Sequence, residues 1–372
     1  MHVAILSPHQ SSGYSGPTIL VKRLVLGLPT EFDVTVVGPE ESGGVQAPVA
    51  FERIRTKSIR SRGGQLRWSI GVAAWIVRRR RRLDLLHFHG TYLYALLPAV
   101  VCRVLRIPYV LLPLAAGGDL SVSSASNRWS IVKAIRRYAV SGASAGLSLA
   151  PPIGDELASW GVPRSAIFPI HNPVSMEYFE NEIGRRHARA HGRTLVFIGK
   201  LGSRKSPELV LGALNLLRSE WPSARACFIG PFESAKFGSA FWERAETLGV
   251  RSSIDVVGHV ENVAEHIGDD ASIFVLPSTQ EGLPGALAEA MALGLPVAVS
   301  TAGAMPMVVE QSGGGEVVER DAAAIAEFVA KLWRTDALWR SYSDSAHSYA
   351  SEHFSTSAVV SQYLECIVTA RH

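Results

Sequence analysis

Cysteine is scarce in this chain: three residues, Cys102, Cys227 and Cys366, among 372. They are scattered, show no metal-ligand spacing and cannot all pair, which argues against a disulfide framework or zinc module and suits a reducing cytoplasm. No charge-free apolar run approaches the ~20 residues of a membrane-spanning helix. The opening MHVAILSPH has neither a basic leader nor a long apolar core before Pro8, so a first β-strand is expected there and a signal peptide is not. An Asp-x-Asp metal motif is missing, and the loop Gln10–Pro17 (QSSGYSGP) lacks the G-x-G-x-x-G fingerprint, so a nicotinamide cofactor is poorly supported. Acidic residues are missing from one stretch: Arg53 to Arg82 holds eleven basic residues and no acid.

What is present describes a globular protein. Hydrophobic residues make up 47% and charged residues 19%, a composition that excludes disorder. The length allows two domains of ordinary size. Net charge is +4 but unevenly divided: residues 1–172 carry 20 Lys+Arg against 9 Asp+Glu, and residues 173–372 carry 17 against 24. The two halves therefore face different partners.

The first half alternates β-like and helical runs: VAILSP, a helix over Thr18–Leu28, then DVTVVG. This is the rhythm of a parallel sheet with crossover helices. Within the basic stretch, Leu66 to Val77 has helical spacing, with Trp68 and Trp75 beside its apolar positions and Arg78, Arg79, Arg80, Arg81 and Arg82 at its end. A solvated helix with a basic cap is one reading, favoured by the helix dipole. A patch that docks on anionic lipid, with the tryptophans at the interface, is another. Nucleic acid also attracts such charge, but no nucleic-acid motif accompanies it.

In LDLLHFHG, His87 and His89 lie two positions apart, on one face at the carboxyl end of a strand. A metal site needs a third ligand, and no partner motif is visible; a satisfied structural histidine is an equal reading for His87. Further on, an apolar run at Leu195–Ile198 leads into Gly199-Lys200-Leu201-Gly202-Ser203-Arg204-Lys205. Lys200 and Lys205, five positions apart around a glycine turn, suit a diphosphate; two solvated lysines are the plainer alternative.

The richest stretch is Pro277 to Met291, PSTQEGLPGALAEAM. A β-rich run (Ala271–Leu276) enters it, a turn-prone loop follows, and an Ala/Leu helix begins near Ala286. Ligands of open α/β sheets bind outside the carboxyl ends of the strands, and the free N–H groups of a new helix attract an anion. Glu281 and Glu289 frame the loop. Glu289 lies among apolar neighbours, where an unpaired charge is costly, so a ligand hydroxyl is a good candidate partner.

At these residues the chain resembles the retaining family-4 glycosyltransferases of the GT-B fold. The shared elements are the Glu281-Gly282…Glu289 block, the Gly199-Lys200-Leu201…Lys205 element and Asp84-x-x-His87-x-His89. The resemblance implies an α/β protein of two Rossmann-like parallel-sheet domains with an interdomain cleft. Residues 1–172 would bind the acceptor, 173–352 the nucleotide-sugar, and a helix over 353–372 would cross back to the first domain. It further implies His89 near the transferred sugar and the acceptor, with Lys200 and Lys205 on the diphosphate. Glu281 would hold sugar hydroxyls and Glu289 ribose hydroxyls. The donor would also meet Gly16, Gly199, Val260, Gly282, Pro284, Gly285 and Ala286. The sequence departs from the family pattern at Gly16-Pro17, Lys200, Leu114-Ala115 and Pro173.

The expectation is a retaining, metal-independent glycosyltransferase without a cofactor, whose substrate is a nucleotide diphosphate sugar. Its acceptor would be a glycan, lipid-linked or free oligosaccharide, in polysaccharide or lipopolysaccharide assembly. It would sit at the cytoplasmic face of the cell membrane, against anionic lipid, with no nucleic-acid partner. A soluble transferase for a small-molecule acceptor and a non-catalytic nucleotide-sugar-binding protein are the alternatives.

Overall fold

The computed structural model describes residues 1–8, 16–39, 50–55, 61–114, 129–175, 178 and 190–371. It divides into two compact units, Met1–His171 with Thr356–His372, and Asn172–Ser355.

The first unit runs β1 (His2–Leu6), α1 (Gly16–Gly27), β2 (Asp33–Pro39), β3 (Ala50–Ile54), α2 (Arg62–Arg79), β4 (Leu85–His89), α3 (Leu93–Leu105), β5 (Tyr109–Leu112), α4 (Trp129–Ser141), β6 (Ala145–Ser148), α5 (Pro151–Ser159) and β7 (Ile167–Pro169). Its seven strands lie in the order β3-β2-β1-β4-β5-β6-β7, all parallel. A parallel sheet covered on both faces needs strands that are apolar throughout. That is why VAIL and LLHFH are buried nearly end to end, both histidines included. Leu6 pairs with Phe88, so the carboxyl ends of β1 and β4 lie side by side where the strand order reverses. β3 is a strand that the sequence reading did not separate from the basic stretch.

Helix α2 corrects one expectation. Its apolar face is turned inward against α3 and β3. Trp68 is fully buried and edge-on to Tyr94 at 5.3 Å. Trp75 is 9% exposed and donates its indole N–H to Glu52. The tryptophans therefore do not stand at a membrane interface: burying a large aromatic contributes several kcal/mol to the core, and helical periodicity puts both on the packed side. The exposed apolar side chains of this helix are instead Leu66, Ile70 and Val77.

The second unit runs β8 (Thr194–Ile198), α6 (Pro207–Leu217), β9 (Arg225–Ile229), α7 (Ala235–Thr247), β10 (Ile254–Gly258), β11 (Ala271–Leu276), α8 (Gly285–Ala292), β12 (Val297–Val299), α9 (Met305–Ser312), β13 (Gly315–Val317), α10 (Ala322–Arg334) and α11 (Asp336–His353). Its strand order is β10-β9-β8-β11-β12-β13, again all parallel. TLVFI and ASIFVL, the two central strands, are buried at every residue.

The last helix, α12 (Thr356–Arg371), packs on α1, β5, β6 and β7 of the first unit. It starts at Thr356 where the sequence suggested His353. The interruption has a cause: Val174 donates its N–H to Phe354 O at 2.7 Å and bridges Ser355, so the helical ladder breaks there. Among the described residues no helix is long and apolar enough to cross a membrane.

Candidate functional site

In the second unit the connections from β8 and β11 leave in opposite directions, so a crevice forms outside their carboxyl ends. Two loops border it: residues 199–206 after β8 and residues 277–284 after β11. Their meeting point is a cluster of charge. Lys205 Nζ lies 3.1 Å from Glu281 Oε1, and Arg204 Nη1 lies 3.1 Å from Oε2. Ser278 Oγ donates to Oε1 at 2.9 Å. The Glu281 side chain is 7% exposed and that of Lys205 10%, while Arg204 keeps 52%.

Burial opposes the charge on Glu281, but Lys205, Arg204 and Ser278 outweigh it and hold the carboxyl below its ordinary range. Burial likewise pushes the Lys205 ammonium below its usual value, Glu281 pulling it back up and Arg204 adding a little to the depression. The pair is buried and poorly solvated, an arrangement in which each charge depends on the other.

Glycine makes the close packing possible. Gly199 has φ +136° and Gly230 φ +145°. A Cβ on Gly230 would lie 2.1 Å from Gly199 O, so any side chain there would force the strand ends apart. On the other side, Ala304 donates its N–H to Gly282 O at 2.8 Å. Ser300 Oγ donates to Ser278 O at 2.6 Å. Arg320 ties the loops from behind, donating from Nε to Pro277 O (3.1 Å) and from Nη2 to Ser206 Oγ (2.9 Å).

Helix α8 opens at Gly285 after Pro284, with no side chain capping its first turn. Its free amides lie at the end of the Glu281 loop, a suitable place for an anion. Glu289, on the same helix, is 8% exposed and is not one of the Glu281 partners. Lys200 is exposed on the loop after β8, whereas Lys205 is buried against Glu281; the two lysines are not equivalent. Gly282, Ala286 and Val260 are half-buried, the last just beyond β10. Gly16 is the first residue of α1, and residues 10–15 of its loop lie outside the described residues.

In the first unit, His89 ends β4, is fully buried and accepts from Tyr94 Oη at its carbonyl (3.1 Å). His87 is also fully buried, with Nδ1 3.1 Å from Tyr363 Oη of α12. Burial holds His87 down at about 3, so it is neutral in all ordinary conditions. The arginine turn lines a surface depression of about 730 Å³ with Trp75 and Arg78, Arg79, Arg80, Arg81 and Arg82. Arg79 is committed to Glu52 at 2.7 Å and lies over Trp75.

Arg204 and Arg320 escaped the sequence reading. Arg204 precedes Lys205 in the same glycine-turn element, and that adjacency was the available signal; Arg320 is far from the motif and had none.

Comparison with known proteins places these features in a wider group. Residues 15–173 match the model of a glycosyl transferase 4-like domain, and residues 192–335 that of glycosyl transferases group 1. TuaC of Bacillus subtilis, assigned to teichuronic acid biosynthesis as a glycosyltransferase, is 28% identical over 74% of this chain and 70% of its own. A D-inositol 3-phosphate glycosyltransferase of Streptomyces avermitilis is 30% identical over 44% of this chain, a match that spans only 38% of that relative. Among solved structures, Anabaena HepE in complex with UDP superposes with a TM-score of 0.80 at 14% identity, covering 99% of this chain and 100% of HepE. WaaG, involved in lipopolysaccharide biosynthesis, gives 0.73 at 16% identity, with 99% of each chain covered. At such identities the structural likeness shows a common GT-B fold.

Proposed function

The chain belongs to the group 1, family-4-like glycosyltransferases of the GT-B fold, and from that premise we propose that it moves a sugar from a nucleotide diphosphate donor to a hydroxyl of a glycan acceptor. The observation that carries this reading is the Glu281, Lys205 and Arg204 cluster beside an uncapped helix start, at the point where the strand order reverses.

As the glycosidic bond breaks, negative charge grows on the leaving diphosphate while the sugar becomes cationic. Lys200, Lys205 and the amides at Gly285 and Ala286 stabilise the diphosphate, which makes a divalent metal unnecessary. Glu281 accepts from the sugar hydroxyls and Glu289 from the ribose. Gly199 and Gly282 shape the donor site by allowing close backbone approach, with Val260 and Pro284 assigned beside it; Gly16 is assigned to the donor from the family pattern alone. His89 is assigned to the transferred sugar and the acceptor. Retention of configuration is inferred from the family pattern; it requires attack on the face that the diphosphate leaves.

The acceptor is proposed to be lipid-linked and met at the inner face of the cell membrane. Arg78, Arg80, Arg81 and Arg82 cap a helix whose exposed side carries Leu66, Ile70 and Val77, a combination suited to an anionic surface. Support also comes from relatives assigned to teichuronic acid and capsular polysaccharide synthesis.

The test is a panel of UDP-, GDP- and ADP-sugars, scored by calorimetry and slow donor hydrolysis with and without EDTA. One donor should bind and turn over, and chelation should leave it unaffected. Binding without turnover would favour a non-catalytic role, and activity lost to EDTA and restored by manganese would refute metal independence.

A further inference from the structure

The transfer reading gives Glu281 the task of meeting sugar hydroxyls, yet its carboxylate sits on the loop that joins β11 to α8. Lys205 and Ser278 both engage Oε1, which fixes one oxygen and leaves rotation about the carboxyl axis to be set by whatever holds the other. That group is Arg204. Its Nη1 lies 3.1 Å from Oε2 and donates to Gln280 O at 2.7 Å. Its own carbonyl accepts from Thr279 N at 2.8 Å and Thr279 Oγ1 at 3.0 Å. One residue after β8 therefore grips three consecutive residues after β11.

We propose that Arg204 is a positioning residue of sugar transfer: it latches the Glu281 loop to the β8 loop and holds Oε2, so that the carboxylate meets its substrate in one orientation. The proposal rests on the glycosyl-transfer reading. Both contacts leave from the same Nη1, so lysine keeps the charge but carries it on a flexible stem in place of a rigid, planar guanidinium. Arg204 keeps half of its side chain exposed, whereas Lys205 and Glu281 are both buried.

The charged groups facing Glu281 are Lys205 and Arg204 from the β8 loop, with Ser278 the polar group from its own loop. Gly303 packs on the same loop, and its contacts there are with the backbone of Glu281 and Gly282. Removing the Arg204 charge has two consequences of fixed sign. Glu281 loses one of the cations that hold its carboxyl down, so it protonates at higher pH. Lys205 loses a repelling neighbour, so its ammonium also deprotonates at higher pH.

The experiment compares wild type, Arg204→Gln and Arg204→Lys, measuring kcat and donor KM across pH with the donor that wild type accepts. For Arg204→Gln, kcat should fall about 10- to 100-fold, as expected when a reacting group is misplaced. Donor KM should change little, and both the acid and the alkaline limbs of the profile should move up. Arg204→Lys should restore the limbs while recovering only part of kcat. An Arg204→Gln profile that superimposes on wild type, or an equal loss at every pH with a lowered melting temperature, overturns the proposal. If wild type transfers from no nucleotide sugar, it is the transfer reading that has failed. Carbon-13 NMR titration of the Glu281 carboxyl then tests the latch by itself, and an unshifted midpoint in Arg204→Gln refutes it.

Discussion

Gly199 and Lys205 are packed as a pair: a Cβ built on Gly199 would lie 2.8 Å from Lys205 Cε and 3.0 Å from its Nζ. The glycine that follows β8 is thus the floor on which the buried ammonium rests, and the Lys205–Glu281 ion pair depends on there being no side chain beneath it.

Gly199→Ala should therefore damage the site through two routes. Its φ of +136° disfavours any side chain, at about 1–3 kcal/mol, and the new methyl group displaces Lys205. Gly249→Ala is the control, since Gly249 also has positive φ but open space around it. Thermal unfolding should show both variants destabilised, with calorimetry showing nucleoside diphosphate binding lost only in Gly199→Ala. Equal binding in the two would refute the packing argument.

The two glutamates should separate. Glu289→Ala should weaken the plain nucleoside diphosphate by about 1.5–3 kcal/mol, the range for a hydrogen bond to a charged group. Glu281→Ala should affect it less and damage sugar transfer more. Matched losses of nucleoside diphosphate affinity in both variants would show that the ribose and sugar roles are wrongly divided.

Changing Arg78 to Arg82 to Gln should abolish sedimentation with vesicles containing anionic lipid at low salt. Each basic residue near such a surface contributes about 1 kcal/mol, and Arg79 less because Glu52 already holds it. Wild type that ignores these vesicles, or a Gln variant that binds them equally, would move the acceptor to a soluble molecule.

His87 makes a pH prediction. Its folded-state value is lowered from 6.5 to about 3 by burial, so the unfolded chain binds a proton that the folded chain refuses. Its contribution therefore favours folding above 6.5 and is lost as pH falls toward 3, by up to about 1.4 kcal/mol per pH unit. His87→Phe should lower stability at neutral pH by removing the Tyr363 contact, yet flatten this acid slope. Denaturant titrations across pH measure it, and an unchanged slope would count against the burial argument.

Much of the fold was legible because parallel strands buried on both faces read as near-continuous apolar runs, as VAIL, TLVFI and ASIFVL do, and as LLHFH does apart from His87 and His89. β3 was missed because AFERI is neither continuous nor alternating, and it sits at the sheet edge with no buried residue. The tryptophans were misread because a helical pattern shows which residues share a side of α2 but not which side is packed.

By itself, the sequence determined two parallel-sheet units, the strand-loop-helix junction at Glu281 and the glycine turn before Lys205. These are local matters, set by periodicity, turn chemistry and spacing over a few residues. Only the tertiary structure decided that Lys205 is buried against Glu281 while Lys200 stays exposed, that Arg204 reaches across 75 positions to Thr279, and that Trp68 and Trp75 are core. Those outcomes depend on which loops the strand order brings together and which helix face meets the sheet. Both arise from long-range packing, and a single stretch of chain does not carry that information.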